Sequence, residues 1–522
     1  MKKHFLIFLI IISTQLFAGP ADTLIKLKDL TFRNETEKIA LNNFSANRDK
    51  PDYIDLFLAS YNNSGEPRSV AIHERIQKYV DEIKSKIEGK AEEKKVKYIY
   101  EDVHKTFFKA YKLKNNFNDI FEKGEYNCVS ASALYSIIFD MLEIPYQIME
   151  SPQHVYVVTY PQTFKILIET TSPEKGYYQF KSNFIEKYVK TLCDSKLIEK
   201  SEFEANGADL LFKKYYFSKS GVSLLQLAGI QYSNFAIYNI DDENYEKALP
   251  EIITSCFLYP TERNKNILKI ALIHIVSNNK YEKPEHIKDL ALLCRYKTFN
   301  TDEVSNENLR NEFLRVTEAQ IIDKSDYVSY NNSYQIILAA VKDSALKNEI
   351  VFIYNYELAR LSLVNLKELK SEMEHLKAAY KAKPENTNLH SLILSCFARV
   401  IEKINEPNFI LGIIKDYANK FDFLKSNNRF NSVRANCLLE LAFESFSMNE
   451  MNKGENYIKD FEILFSSNKE IEPGPTYVEK AYSVPAGIYY KKGNYAKAKQ
   501  LLKSGLIYAP DSFGLKQRLS QL

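Results

Sequence analysis

Tyr126-Asn127-Cys128-Val129-Ser130-Ala131-Ser132-Ala133-Leu134-Tyr135 opens the stretch whose reading decides the fold. From Cys128 onward, Val129, Ala133, Leu134, Ile137, Ile138 and Met141-Leu142 form one apolar stripe at helical spacing. Glu143-Ile144-Pro145 ends that helix, because proline disfavours helical geometry in the residue before it. Three short alternating runs then read as strands: Tyr146–Glu150, His154–Tyr160 and Phe164–Glu169.

The last two runs form a hairpin with a computable register. A turn centred on Pro161-Gln162 puts Val155 opposite Ile168, Val157 opposite Ile166 and Thr159 opposite Phe164, giving a nearly pure apolar face. On the other face His154 falls directly opposite Glu169, and such partners have Cβ atoms about 4.5–5.5 Å apart. Pro-Gln is not a favoured two-residue turn, so a four-residue loop with the same centre is expected.

Upstream, Ser69 to Glu88 and Lys94 to Tyr111 read as helices, with Val80, Ile83 and Ile87 on one face. The charged run from Lys84 to Lys97 mixes signs and reads as a solvated helix face. At the extreme N-terminus, Met1-Lys2-Lys3-His4 precedes an apolar run from Phe5 to Ile12 and then Ser13 to Ala18. A basic start, a short apolar core and a small residue at the end describe a secretory signal peptide cut after Ala18, with Ala21 as the alternative. The run is too short to span a membrane, which takes about 20 apolar residues. The mature chain is expected to be exported, as a periplasmic or secreted bacterial protein.

Downstream from about Leu224 the pattern is helical and contains a repeat. Asn244-Tyr245-Glu246-Lys247-Ala248-Leu249 is followed by Pro260, and Gly493-Asn494-Tyr495-Ala496-Lys497-Ala498 by Pro510, with the same spacing from alanine to proline. A weaker copy keeps Ala379 ahead of Pro384, where the better copies carry Ser255 and Gly505. A Tyr-x-x-Ala turn, a helix and a stopping proline are the signature of the 34-residue helix-turn-helix repeat called TPR.

Composition supports long helices: 15 glycines and 16 prolines in 522 residues, about 3% each, against average usage of about 7% and 5%. Hydrophobic residues at 45% and charged residues at 26% exclude a disordered chain. The net charge of +3 leaves no basic excess for nucleic acid. Neither a metal-ligand spacing among the remaining histidines (His73, His104, His274, His286, His375 and His390) nor a Gly-rich phosphate loop appears, so no cofactor and no metal are expected.

Of six cysteines, none forms a C-x-x-C pair. Cys256, Cys294, Cys396 and Cys437 sit in apolar helical runs and read as buried small hydrophobes, while Cys193 has no assignment. Cys128 is the exception. It lies at a helix start, where the dipole favours negative charge, and cysteine attacks as thiolate. His154 is placed to act as base and Glu169 to orient it, which is the nucleophile, base and orienter logic of a cysteine triad.

These residues carry a resemblance. The segment from Tyr126 to Tyr135, then Leu142-Glu143-Ile144-Pro145, Ser151-Pro152-Gln153-His154-Val155-Tyr156-Val157 and Ile168-Glu169-Thr170-Thr171 is similar to the transglutaminase-like superfamily. In particular it resembles the bacterial branch in which that domain precedes TPR repeats. The resemblance implies an α+β papain/transglutaminase-like domain, a helix packed on an antiparallel sheet, followed by an all-α TPR-like solenoid. It implies Cys128 as nucleophile, His154 as base and Glu169 as third member, where the better-known transglutaminases carry Asp. The resulting organisation is a signal peptide over 1–18, a helical N-terminal region over 19–90, a transglutaminase-like domain over 91–222 and helical repeats over 223–522. The expected function is thiol acyl transfer (peptidase, amidase or crosslinker) with a repeat arm gripping a protein or peptide partner. The alternative is a catalytically inactive protein-binding module or scaffold of the cell envelope.

Overall fold

The structure, a computed structural model, describes residues 25–522 apart from 49, 61–65, 152–153, 164, 172–176, 180–181, 195–197, 217–220, 298–303 and 366–368. The leader reading at 1–18 therefore lies outside the described residues, as do Pro152, Gln153 and Phe164.

The expected α+β papain/transglutaminase-like domain is corrected by the structure. The chain is 74% helical and 5% strand, mostly all-α, and the described residues form two small sheets and no substantial α+β core. The scarcity of chain breakers explains the helices. The strand-forming runs are too few and too short to build more than a patch. That patch holds β1 (Ala110–Tyr111) and β2 (Glu125–Tyr126), paired in parallel, and an antiparallel sheet of β3 (Tyr146–Ser151), β4 (His154–Thr159), β5 (Ile166–Ile168) and β6 (Tyr177–Gln179) in sequential order.

The described residues form two compact units, divided between Val304 and Ser305. At the centre of the first stands the Cys128–Met141 helix, whose residues from Val129 to Phe139 are all buried. A helix apolar all round must be surrounded, and this one packs on β3 and β4, on the Glu66–Ile87 helix and on the Leu224–Asp241 helix. It ends where Pro145 predicts: Leu142 caps it and Glu143 takes the left-handed conformation at φ 55°.

The Leu224–Asp241 and Tyr245–Leu258 helices belong to this first unit, and polar bonds lock them to its N-terminal helices. Gln231 Nε2 donates to Phe57 O (3.0 Å) and to Ser60 Oγ, and the Tyr232 hydroxyl donates to Glu37 (3.0 Å). Arg33 bridges Glu37 at 2.7 Å and Glu251 at 3.2 Å. Burial pushes Glu251 up to about 7 against the opposing pull of Arg33.

In the second unit, the Pro475–Lys491 and Tyr495–Tyr508 helices pair through a turn built like the one before Tyr245. Asn244 and Asn494 each cap their helix by accepting a backbone N–H three residues on, from Lys247 and Lys497. Each asparagine follows a residue in the left-handed region, Glu243 at φ 58° and Gly493 at φ 76°. Glycine takes that conformation without steric cost, so the C-terminal turn is the less strained copy. Ala248 and Ala498 are both fully buried. Gly505 is equally constrained, since a Cβ there would lie 3.0 Å from Leu515 and Tyr482.

Candidate functional site

Cys128 is the first residue of its helix, and Asn127 is the cap that fixes it there. Asn127 Oδ1 accepts from Val129 N (3.0 Å) and Ser130 N (2.9 Å), and Ser130 Oγ accepts from Asn127 N (3.0 Å). This reciprocal box satisfies amides that a helix start leaves orphaned. Ser130 Oγ donates onward to Asn115 Oδ1 at 2.7 Å, and Asn127 Nδ2 to Leu113 O at 3.1 Å. The cap is thereby tied to the strand segment carrying Tyr111. Asn127 and Ser130 were legible as a cap from their spacing before an apolar run, a signal the sequence reading did not use.

His154 opens β4, and Ser132 Oγ reaches from the Cys128 helix to Val155 O at 3.4 Å, holding that strand against it. His154 Nε2 lies 2.8 Å from both carboxylate oxygens of Glu169. The Cys128 side chain lies close enough to the same imidazole to raise it. With Nε2 engaged by Glu169, Nδ1 is the nitrogen left for the sulfur. The three predicted site residues are thus brought together.

The register that joins them differs from the expected one by two residues. Val157 pairs with Ile168, Val158 with Leu167 and Thr159 with Ile166. Extended by one step, this sets Tyr156 opposite Glu169 and leaves His154 and Glu169 diagonal. The reason is the turn. Thr163 N and Lys165 N both donate to Tyr160 O, and Tyr160 and Lys165 take positive φ, so the loop runs from Tyr160 to Lys165 rather than over four residues. A shift of two preserves the faces, so Val155, Val157, Ile166 and Ile168 still turn to the core. Diagonal partners sit roughly 7–8 Å apart, within reach of long side chains. Here the extra methylene of Glu169, relative to Asp, has a structural role: it spans the diagonal.

Glu169 is held from its other side by Thr171, whose Oγ1 donates at 2.6 Å and whose N–H donates at 3.2 Å to Oε1. Burial opposes ionisation of Glu169, but the bonds from His154 and Thr171 outweigh it and keep the carboxyl below the usual range. Cys128 first and then Glu169 raise His154 to about 10. Both shifts favour an imidazolium beside the Glu169 carboxylate. Both side chains keep access to solvent, with about 30% and 27% of their surfaces exposed.

As donors to an oxyanion, Asn127 is consumed by capping, and Tyr126 is buried, stacked on Phe108 at 4.4 Å. The Cys128 amide, at the first helical position, has no intrahelical acceptor and remains. Sequence reasoning missed Tyr111 and Tyr238. The β1–β2 pairing sets Tyr111 opposite Tyr126, and its side chain is part-exposed. Burial and then the neighbouring Cys128 and Glu169 raise the Tyr111 hydroxyl. Tyr238 donates to Leu113 O at 2.9 Å and is pushed up to about 12 by burial and by Cys128.

The other thiols are unpaired, and Cys256, Cys294, Cys396 and Cys437 are buried, as their apolar runs predict. Burial pushes Cys256 and Cys294 up to about 12 and Cys437 to about 11, values unsuited to a nucleophile.

Among the described residues one His/carboxylate group has atoms close enough to hold a metal ion, at Asp52, Asp55 and His73. The sequence spacing had given no sign of it. His73 Nε2 lies 3.1 Å from Asp55 and 3.5 Å from Asp52. Each group already has a structural partner: Asp52 caps the Tyr53–Ala59 helix, and Asp55 accepts from Ser69 Oγ. No family model matches this chain, and no curated protein matches it.

Proposed function

We propose that the chain is a thiol acyl-transfer enzyme acting at an amide or activated ester through Cys128, His154 and Glu169. The observation that carries this reading is a single imidazole bonded to the Glu169 carboxylate and raised by the neighbouring Cys128 thiol, which opens a capped helix. The sulfur attacks the acyl carbon and forms a C–S bond, while His154 gives its proton to the departing nitrogen or oxygen. Water or an amine then attacks the thioester, His154 takes its proton, and the C–S bond breaks. Glu169 fixes the ring and stabilises its positive charge. The order of cysteine, histidine and acid along the chain is the feature shared with the transglutaminase-like superfamily. The basic, apolar start of the sequence supports export of the protein.

p-Nitrophenyl acetate tests the chemistry without knowledge of the natural substrate. The expected result is a burst of p-nitrophenol with acetyl found on Cys128 by peptide mass spectrometry, lost in Cys128→Ala and slowed in His154→Ala. Acetylation spread evenly over the cysteines, and indifferent to His154→Ala, ends the reading.

A second role, gripping a protein or peptide partner, is supported by exposed apolar side chains on the C-terminal helices, Tyr495, Ile507 and Phe513 among them. No described helix is long and apolar enough to cross a membrane.

A further inference from the structure

The second unit contains a small cavity of about 150 Å³ that owes nothing to the thiol site. Ser483, Ala486, Gly487 and Tyr490 form one face of the Pro475–Lys491 helix along its wall. Leu502 and Arg518 on the following helices, with Gln521 and Leu522 just past the last of them, close it.

Three independent features make it a site rather than a packing gap. Ser483 is 5% exposed, and its hydroxyl has no hydrogen-bond partner, which is uncommon for a buried polar group. Gly487 stands inside a helix, where glycine is disfavoured relative to alanine, and a Cβ there would meet nothing within 4 Å. Neither the helix nor a neighbour requires the glycine; what it provides is room. Arg518 has no carboxylate within ion-pair distance among the described residues, whereas Arg310, Arg315, Arg360 and Arg399 of the same unit each hold one.

We propose that this cavity binds a carboxylate attached to a compact apolar group. The planar guanidinium of Arg518 matches a carboxylate's two oxygens. Gln521 and the Ser483 hydroxyl supply neutral donors, and Ala486, Gly487, Leu502 and Leu522 receive the apolar arm. A volume of this size elsewhere accepts a benzene ring, so the arm is about that large. A phosphate would require more donors and offers nothing to the apolar floor. The same chemistry is presented by a free branched-chain acid and by the C-terminal residue of a peptide.

Ligand-observed NMR on the full chain, with isovalerate, N-acetyl-leucine and N-acetyl-leucinamide as probes, separates these sources. Both acids bind with millimolar Kd, as suits fragments of this size, and the amide does not. Tighter binding of N-acetyl-leucine assigns a peptide terminus, and tighter binding of isovalerate a free acid. Arg518→Gln, at an exposed position, weakens the acids about tenfold through loss of a charge-assisted bond. Gly487→Leu fills the cavity and removes binding, with circular dichroism reporting retained helix. Failure of both acids to bind the wild-type chain, or unchanged affinity in Arg518→Gln, overturns the proposal.

Discussion

Replacing Glu169 by aspartate tests whether the diagonal pairing sets the chemistry. Each Glu169 oxygen sits 2.8 Å from His154 Nε2. Removing one C–C bond withdraws the carboxylate by about 1.5 Å, past the limit for a hydrogen bond. A hydrogen bond to a charged group contributes about 1.5–3 kcal/mol. With 30% and 27% of the two side chains exposed, solvent screening discounts that figure substantially. About 1–1.5 kcal/mol remains, or close to one pKa unit on His154 at 1.36 kcal/mol per unit. The pKa of the His154 ring, read by NMR titration, therefore falls by about one unit in Glu169→Asp. Glu169→Gln keeps the length and a neutral acceptor but loses the charge, so it lowers that pKa as well. A wild-type His154 pKa in Glu169→Asp refutes the reasoning. It would mean that the carboxylate reaches His154 equally well from a shorter arm, as a directly opposed pair would allow.

His154 is raised to about 10 in the folded chain, so the stability it gains from its partners is complete below pH ~6.5 and is lost as pH rises through about 10. The stability gap between wild type and His154→Gln in urea melts should close over that window, and a gap independent of pH contradicts the shift. His104 behaves in the opposite sense. It is buried among Tyr100, Phe108, Tyr126 and Tyr135 with both ring nitrogens unpartnered, and burial lowers it to about 4. Its stabilising neutrality is present above pH ~6.5 and lost as pH falls to about 4, an effect of up to about 3 kcal/mol. His104→Phe should flatten the acid limb of the stability profile, and an unchanged limb places the loss elsewhere. Ala498→Leu overpacks a fully buried contact in the second unit and should cost about 1–3 kcal/mol. Retained thermal stability in that variant would show that the helix pair has slack at this position.

Local patterns were legible where one physical rule dominated. The Cys128–Met141 helix follows from its apolar stripe and the Ile144-Pro145 stop, and the two Asn-Tyr turns follow from cap and alanine. The triad was reached from the hairpin's alternation because a shift of two residues leaves every side chain on its face. The exact pairing was not legible, since it depends on positive φ at Tyr160 and Lys165, conformations that neither residue type advertises. The α+β expectation failed for a different reason. A motif of one helix and two strands says nothing about how many more strands follow, and here most of the other described residues are helical. Tyr111 and Tyr238 were invisible because only the fold brings them to Cys128.

The central claim is that Cys128 and His154 share a proton. Its most direct test is the alkylation rate of Cys128 against pH in wild type and His154→Ala, read by peptide mass spectrometry. A paired thiol labels quickly well below pH ~8, near the free-thiol range, and loses that low-pH reactivity in His154→Ala. An ordinary rise with pH, identical in the two proteins, contradicts the account.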